Sequence, residues 1–408
     1  MKEYFRACLI CLAAIALILG LEGLTPDDHK TEILRSGAEQ GMMRTGADET
    51  GQYLNYLKGK RIAVVASPAS LIGKTPIVDS LLNLKINVVK IFGSEHGFRG
   101  NASNGAKVED EIDTKTGIPI ISLYGKKIKP SKEDLDGIDL VTYDIQDGGA
   151  RFFTKLRTLH QVMEACAEND VELLILDRPN PNASYIDGPI LDMELKSAVG
   201  MFPIPITHGM TLAEMAQMIN GEGWLAGKVK CKLRIVKNAN YTHNTPYTLP
   251  VGPTPNLNTQ QAVMLYPSLC LFEGTAISQG RGTRFPFTMI GAPALEGKYA
   301  FSFTPVPIPG MSEDPPHKDK PCFGLDFRTY DTSNFSKTGQ INIAWLIELY
   351  NSYPQKEDFF RPFFDRLAGT KKLKEQIIAG VSEAEIRKSW EPGLAAYKEM
   401  RKKYLIYP

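Results

Sequence analysis

Between residues 61 and 219, short apolar runs alternate with segments of helical period, and this alternation limits the possible folds more than any other feature. The runs are Arg61-Ile62-Ala63-Val64-Val65-Ala66, Asn87-Val88-Val89-Lys90-Ile91-Phe92, residues 118–124, Ile138-Asp139-Leu140-Val141-Thr142-Tyr143-Asp144 and Val171-Glu172-Leu173-Leu174-Ile175-Leu176. Ile77, Val78, Leu81, Leu82 and Leu84 recur at helical spacing, as do Leu156, Leu159, Met163 and Cys166. A shorter strand, Ile204-Pro205-Ile206, precedes Thr211-Leu212-Ala213-Glu214, which reads as the capping box of a helix through Ile219. Strands that alternate with helices predict an α/β fold on a parallel sheet. Nearly continuous apolar runs belong to strands covered on both faces.

Ligands on such a sheet bind beyond the carboxyl ends of the strands. Glu95-His96 follows the second run. Asp144, Asp147 and Arg151 follow the fourth, Asp177-Arg178 the fifth, and His208 the short one. Every polar cluster therefore falls on one edge, which points to a single site. The loop Phe92-Gly93-Ser94-Glu95-His96-Gly97-Phe98-Arg99-Gly100 carries a carboxylate, an imidazole and a guanidinium among its glycines. A loop that only reversed the chain would favour Asn, Asp, Ser or Pro. No G-x-G-x-x-G follows the first strand and no Walker loop occurs, so a dinucleotide site is not expected.

The ends and the charge set further bounds. Lys2 and Arg6 flank an apolar stretch at 7–21, the pattern of a secretory signal spanning 1–23. That stretch is short for a membrane-spanning helix. Residues 24–51 read as a polar linker, so the mature chain is expected in the periplasm or outside the cell, with no membrane attachment after cleavage. Cys166, Cys231, Cys270 and Cys322 are far apart and are expected as buried small hydrophobes, with room for one disulfide. A net charge of +1 offers no basic field for nucleic acid.

The second half has another texture. Pro250-Val251-Gly252-Pro253-Thr254-Pro255-Asn256-Leu257-Asn258 is a stiff loop. Glu273 and Arg281 then stand among small hydroxylic residues, as in a second ligand-facing segment. Residues 301–321 are proline-rich and read as a covering loop. Helical patterns follow at 341–350 and 361–378, and the basic residues of 398–407 read as a solvated face.

At these residues the chain resembles the exo-β-N-acetylmuramidases (NamZ-like) from about Gly59 to Pro408. The resemblance rests on Gly93-Ser94-Glu95-His96-Gly97-Phe98-Arg99-Gly100, Ser122-Leu123-Tyr124-Gly125, Asp144-Ile145-Gln146-Asp147 and Leu176-Asp177-Arg178-Pro179-Asn180-Pro181. It continues through His208-Gly209-Met210-Thr211, Pro253-Thr254-Pro255-Asn256, Glu273-Gly274-Thr275, Gly280-Arg281-Gly282-Thr283 and Arg401-Lys402-Lys403-Tyr404-Leu405. The chain departs from the family at Ser94, where Pro is usual, near Ser67-Pro68-Ala69-Ser70, where Asn-Pro-Thr-Gly is usual, and at Ala276, where Asn is usual. The resemblance implies a Rossmann-like parallel-sheet catalytic domain at 52–250 and a smaller α/β (α+β) domain at 251–408, with the cleft between them. It also implies release of N-acetylmuramic acid from the non-reducing end of peptidoglycan fragments, with Glu95 as the catalytic carboxylate and no cofactor.

Glycoside hydrolysis needs a proton for the leaving oxygen and a group that stabilises the oxocarbenium-like centre. Glu95 is the expected acid, its pKa raised by burial or by Asp144 or Asp147. Its partner is Glu273 as base or nucleophile, or the substrate's own acetamido oxygen oriented by Asp147 or Asp177. The lactyl carboxylate of muramic acid calls for an arginine, with Arg178, Arg281 and Arg151 the candidates in that order. Tyr124 and Phe98 are placed to stack on the sugar, and His96, Arg99, Asp144, Asn180, His208 and Asn256 are expected around it. His96, His208 and Asp147 lack the spacing of a recognised metal motif, so no metal is expected. The rival readings are a β-N-acetylglucosaminidase, a metal-dependent amidase on the same polymer and a non-catalytic muropeptide-binding protein. Oligomeric state is not set by the sequence.

Overall fold

The structure, a computed structural model, describes residues 41–93, 97–99 and 110–408. The expected signal at 1–23, most of the expected linker, Glu95 and His96 lie outside the described residues. Packed chain begins earlier than residue 52. Gly46 donates its N–H to the Asp177 carbonyl at 2.8 Å, Ala47 is fully buried, and the helix Thr50–Leu57 follows.

Among the described residues the first half has nine strands, in chain order β1 (Ile62–Ala66), β2 (Leu71–Ile72), β3 (Thr75–Pro76), β4 (Val88–Gly93), β5 (Glu111–Ile112), β6 (Pro119–Ser122), β7 (Leu140–Asp144), β8 (Glu172–Leu176) and β9 (Leu233–Val236). Seven of them form one sheet in the order β5-β6-β4-β1-β7-β8-β9. All its pairings are parallel except β5 with β6. The period of two along each strand sorts side chains onto two cores. Ala63 and Val65 of β1 join Val141, Leu173 and the helix Lys155–Glu168 on one face, while Ile62, Val64 and Ala66 join Leu140, Leu174 and the helix Ile77–Asn83 on the other. Each large apolar side chain so buried contributes about 1.5–3 kcal/mol.

The short strand expected at Ile204-Pro205-Ile206 is not in the sheet. Pro203 and Pro205 lack the N–H groups that a ladder needs. The sheet instead ends in β9, whose outward Arg234 pairs with Glu172 of β8 at 3.1 Å. Thr211 and Glu214 form the expected capping box at the start of the helix Leu212–Gly221.

The second half carries a small antiparallel sheet, β10 (Met289–Ala292), β11 (Phe301–Phe303) and β12 (Cys322–Asp326), in the order β10-β12-β11. Helices Gln260–Leu269, Ala344–Ser352 and Phe364–Ala368 pack about it. Gly369, at φ +77°, separates the last of these from Lys372–Ile378, so the helix expected at 361–378 is two. The core of this half also takes Phe152, Phe153, Tyr185 and Ile206 from the first half.

The chain end returns to the first half. In the helix Glu391–Lys402, Tyr397 is buried and its hydroxyl donates to the His208 carbonyl at 2.8 Å, while Arg401 donates to the Gly209 carbonyl. The closing segment is therefore more than a solvated face, although Lys402 and Lys403 are exposed. Cys166, Cys231, Cys270 and Cys322 are all buried and free, so the disulfide with room in the sequence does not form.

Candidate active site

Asp144 ends β7 and Arg178 follows β8, the neighbouring parallel strand, which brings the two together. Arg178 meets both oxygens of Asp144 through Nε and Nη2, the latter at 2.9 Å, and Nη2 also donates to the Leu71 carbonyl at 2.7 Å. Both side chains are buried. Burial works against the charge on Arg178, and the adjacent carboxylate more than restores it, leaving the guanidinium above its ordinary pKa. Arg178 and Asp144 are thus an internal brace, contrary to the expectation that they bind substrate.

Four other expected ligands also make internal contacts. Arg151 is buried and donates to the carbonyls of Pro189 (2.8 Å), Ile204 (2.9 Å), Leu367 (2.8 Å) and Ala368 (2.8 Å), tying the first half to the second. Burial alone brings its guanidinium down to about 9. A Cβ on Gly369 would come within 2.5 Å of Arg151 Nη2, so this contact needs glycine as well as the positive φ there. Asp177 accepts from the Tyr407 hydroxyl (2.7 Å) and the Ala213 N–H (3.1 Å), and Asn180 bridges the Met210 carbonyl and the Asn182 N–H. Arg99 is held bidentately by Asp113, at 2.6 and 2.7 Å, with Asp79 at 3.1 Å. It fixes the far end of the loop that carries Glu95. Phe98 is buried under it and packs in the core beside Ile91, not against a ligand.

Asp147 and His208 meet at 3.4 Å, both buried. The Met210 N–H donates to His208 Nδ1 at 3.3 Å, which leaves the proton of a neutral ring on Nε2, facing Asp147. Neither Asp147 oxygen has a hydrogen-bond partner among the described residues. A buried carboxylate without donors is costly, so this pair is a polar site in want of a partner.

The open cleft lies beyond the carboxyl ends of β6 and β7, between the two halves, with a volume of about 250 Å³. Tyr124, just after β6, lines it with Phe152, Phe153 and Arg157, which precede or open the helix Lys155–Glu168. Asn256, Tyr266, Glu273, Arg281 and Phe287 line it from later in the chain. Glu273 stands on the turn Cys270–Gly274 and pairs with Arg281 Nη2 at 2.6 Å. Arg281 sits between Gly280 and Gly282, at φ +72° and +81°. A Cβ on Gly282 would approach Pro315 to 2.6 Å, so the backbone packs closely there and Arg281 is carried into the cleft. Burial opposes the charge of Arg281, and Glu273 outweighs it, so the guanidinium is held above its ordinary pKa. Arg281 Nη1 and Asn256 Oδ1 have no partner among the described residues, whereas Asn256 Nδ2 donates to the Met311 carbonyl at 2.9 Å.

The structure thus gathers four of the expected residues, Tyr124, Asn256, Glu273 and Arg281, into one cleft. It pairs Asp147 with His208 apart from them and removes Arg99, Asp144, Arg151, Asp177, Arg178 and Asn180 to internal contacts. Arg157 was not anticipated. Its sequence signal is weak, a second cation after Lys155 in the first turn of an amphipathic helix. β4, which leads to Glu95 and His96, ends at Gly93 between β6 and β1 on the same edge.

The N-terminal model of the exo-β-N-acetylmuramidase NamZ matches residues 62–261, and the C-terminal model matches 264–407. The chain belongs to the NamZ exo-β-N-acetylmuramidase family. It is 37% identical over 390 residues to the peptidoglycan β-N-acetylmuramidase NamZ of Bacillus subtilis, covering 91% of this chain and 92% of that one. Two crystal structures of DUF1343 family proteins from Bacteroides fragilis share the fold. One has a TM-score of 0.83 at 45% identity and the other 0.76 at 27%, each over 90% of this chain and 99% of its own. The family boundary at 261–264 falls within the helix Gln260–Leu269, whose residues line the seam between the halves. The cleft therefore uses residues from both NamZ segments, and neither segment builds it alone.

Proposed function

We propose that this chain is an exo-acting glycoside hydrolase that removes N-acetylmuramic acid from the non-reducing end of peptidoglycan fragments. The observation that carries this reading is a cleft between the two family segments, lined by aromatic rings and by the Glu273–Arg281 pair. Near-full-length similarity to a relative named as a peptidoglycan β-N-acetylmuramidase supports it. In this reading Glu95 gives its proton to the leaving oxygen. Glu273, paired with Arg281, faces the anomeric centre as nucleophile or base. The half-buried ring of Tyr124 offers a face to the sugar, while Phe152 and Phe287 back the cleft from the core. Asp177, enclosed by Tyr407 and the Ala213 N–H, is withdrawn from the role of orienting the acetamide.

The deciding experiment offers the mature protein a chromogenic β-N-acetylmuramide and the matching glucosaminide, before and after chelation. Turnover of the muramide alone, unchanged by chelator, is the expected result. Preference for the glucosaminide, loss on chelation, or tight binding without turnover would each replace this reading with one of its rivals. We also propose that the protein acts outside the cytoplasm, because Lys2 and Arg6 flank the apolar stretch at 7–21. N-terminal sequencing of protein from the native envelope tests this, and an intact Met1 on cytosolic protein would refute it.

A further inference from the structure

Two arginines line the cleft, and they differ in their company. Arg281 is engaged by Glu273. Arg157 is half-buried, and among the described residues it has no carboxylate or hydrogen-bond partner. A partly desolvated guanidinium facing a cleft without a counter-charge is poised for an anion, and its planar fork suits a carboxylate. The helix that carries it has no acidic side chain in its first turn, so nothing there competes for the guanidinium. A second observation bears on the same cleft. Asn256 is 3% exposed and its Oδ1 has no donor among the described residues. The cleft thus leaves Arg157 without an anion, Asn256 Oδ1 without a donor and Arg281 Nη1 without an acceptor, and a sugar bearing a carboxylate, an acetamido group and hydroxyls would supply all three.

We infer that Arg157 is the residue that reads the lactyl carboxylate of the terminal muramic acid, and that Asn256 Oδ1 accepts from an N–H or O–H of the same sugar. This inference rests on the muramidase reading and replaces the expectation that Arg178 does this work.

The test compares a muramide with its carboxylate free and the same muramide capped as the carboxamide, in wild type, Arg157→Gln and Arg157→Lys. Wild type should favour the free acid about 10- to 150-fold in kcat/KM, the range of one charge-assisted hydrogen bond. Arg157→Gln should bring that ratio close to one, and Arg157→Lys should restore part of it. Equal losses on both substrates, or a ratio that survives in Arg157→Gln, would overturn the assignment. Calorimetry with free N-acetylmuramic acid and N-acetylglucosamine separates this from the parent reading, because binding needs no turnover. If wild type hydrolyses neither muramide, the hydrolase reading fails. The Arg157 assignment would still be supported by an Arg157-dependent preference for muramic acid, and refuted by equal binding of the two sugars.

Discussion

Removing the Arg178 guanidinium would leave Asp144 buried with two oxygens that have lost their donor. Breaking a buried pair from one side costs about 3–5 kcal/mol. Arg178→Ala should therefore lower the urea midpoint sharply and reduce activity on every substrate alike. A variant with wild-type stability and a selective loss on muramides would restore Arg178 to the binding site. Glu95→Gln is the opposite kind of change, since it keeps shape and removes a proton. On a natural disaccharide it should lower kcat about 10²- to 10⁴-fold with little effect on stability, and less on a nitrophenyl leaving group that needs no protonation. Near-normal turnover of the disaccharide would move the acid role to Glu273 or Asp147. The residue types at the ligand edge were legible in the sequence, but their partners were not. Asp144 and Arg178 lie 34 residues apart, and only the register of β7 against β8 brings them together. A polar residue after a strand reads the same whether it faces a ligand or a neighbouring loop.

At the scale of elements, the loop after β4 is anchored where Arg99 meets Asp113 and Asp79. Hydrogen bonding from Arg99 holds the Asp113 carboxyl down to about 2, below its unfolded value of about 3.9. The folded state then binds fewer protons than the unfolded one over that window. The pair's stabilisation is full above about pH 4 and fades as pH falls through about 2. Arg99→Gln should lower stability at neutral pH and flatten its acid dependence between pH 4 and 2, as urea midpoints across that range would show. An unchanged acid limb would mean that Asp113 is held by Thr116 and the backbone instead. Five strands were legible because each is an apolar run buried on both faces. β9 was not, since Leu-Arg-Ile-Val at an edge is too short and too polar to stand out, while Ile204-Pro205-Ile206 imitates a strand without the N–H groups to join one.

At the scale of the molecule, two halves were legible from texture and resemblance, but the seam was not. Phe152, Phe153 and Ile206 enter the second core, Arg151 caps carbonyls of both halves, and Tyr397 and Tyr407 return to the first. Such long-range contacts leave no local pattern. Deleting residues 391–408 should therefore abolish cooperative unfolding of the whole chain by calorimetry; a truncated protein with the wild-type transition would show the returning helix to be dispensable. The Tyr407 hydroxyl reaches Asp177, and the N–H groups of Ile406 and Tyr407 reach Glu214, in the interior of the first half. A ribosome delivers the sheet well before these residues. The sheet then waits, its carboxyl edge unfinished, until Ile406 and Tyr407 have emerged. Until then Asp177 and Glu214 lack these donors, and the nascent first half is held short of its finished interior.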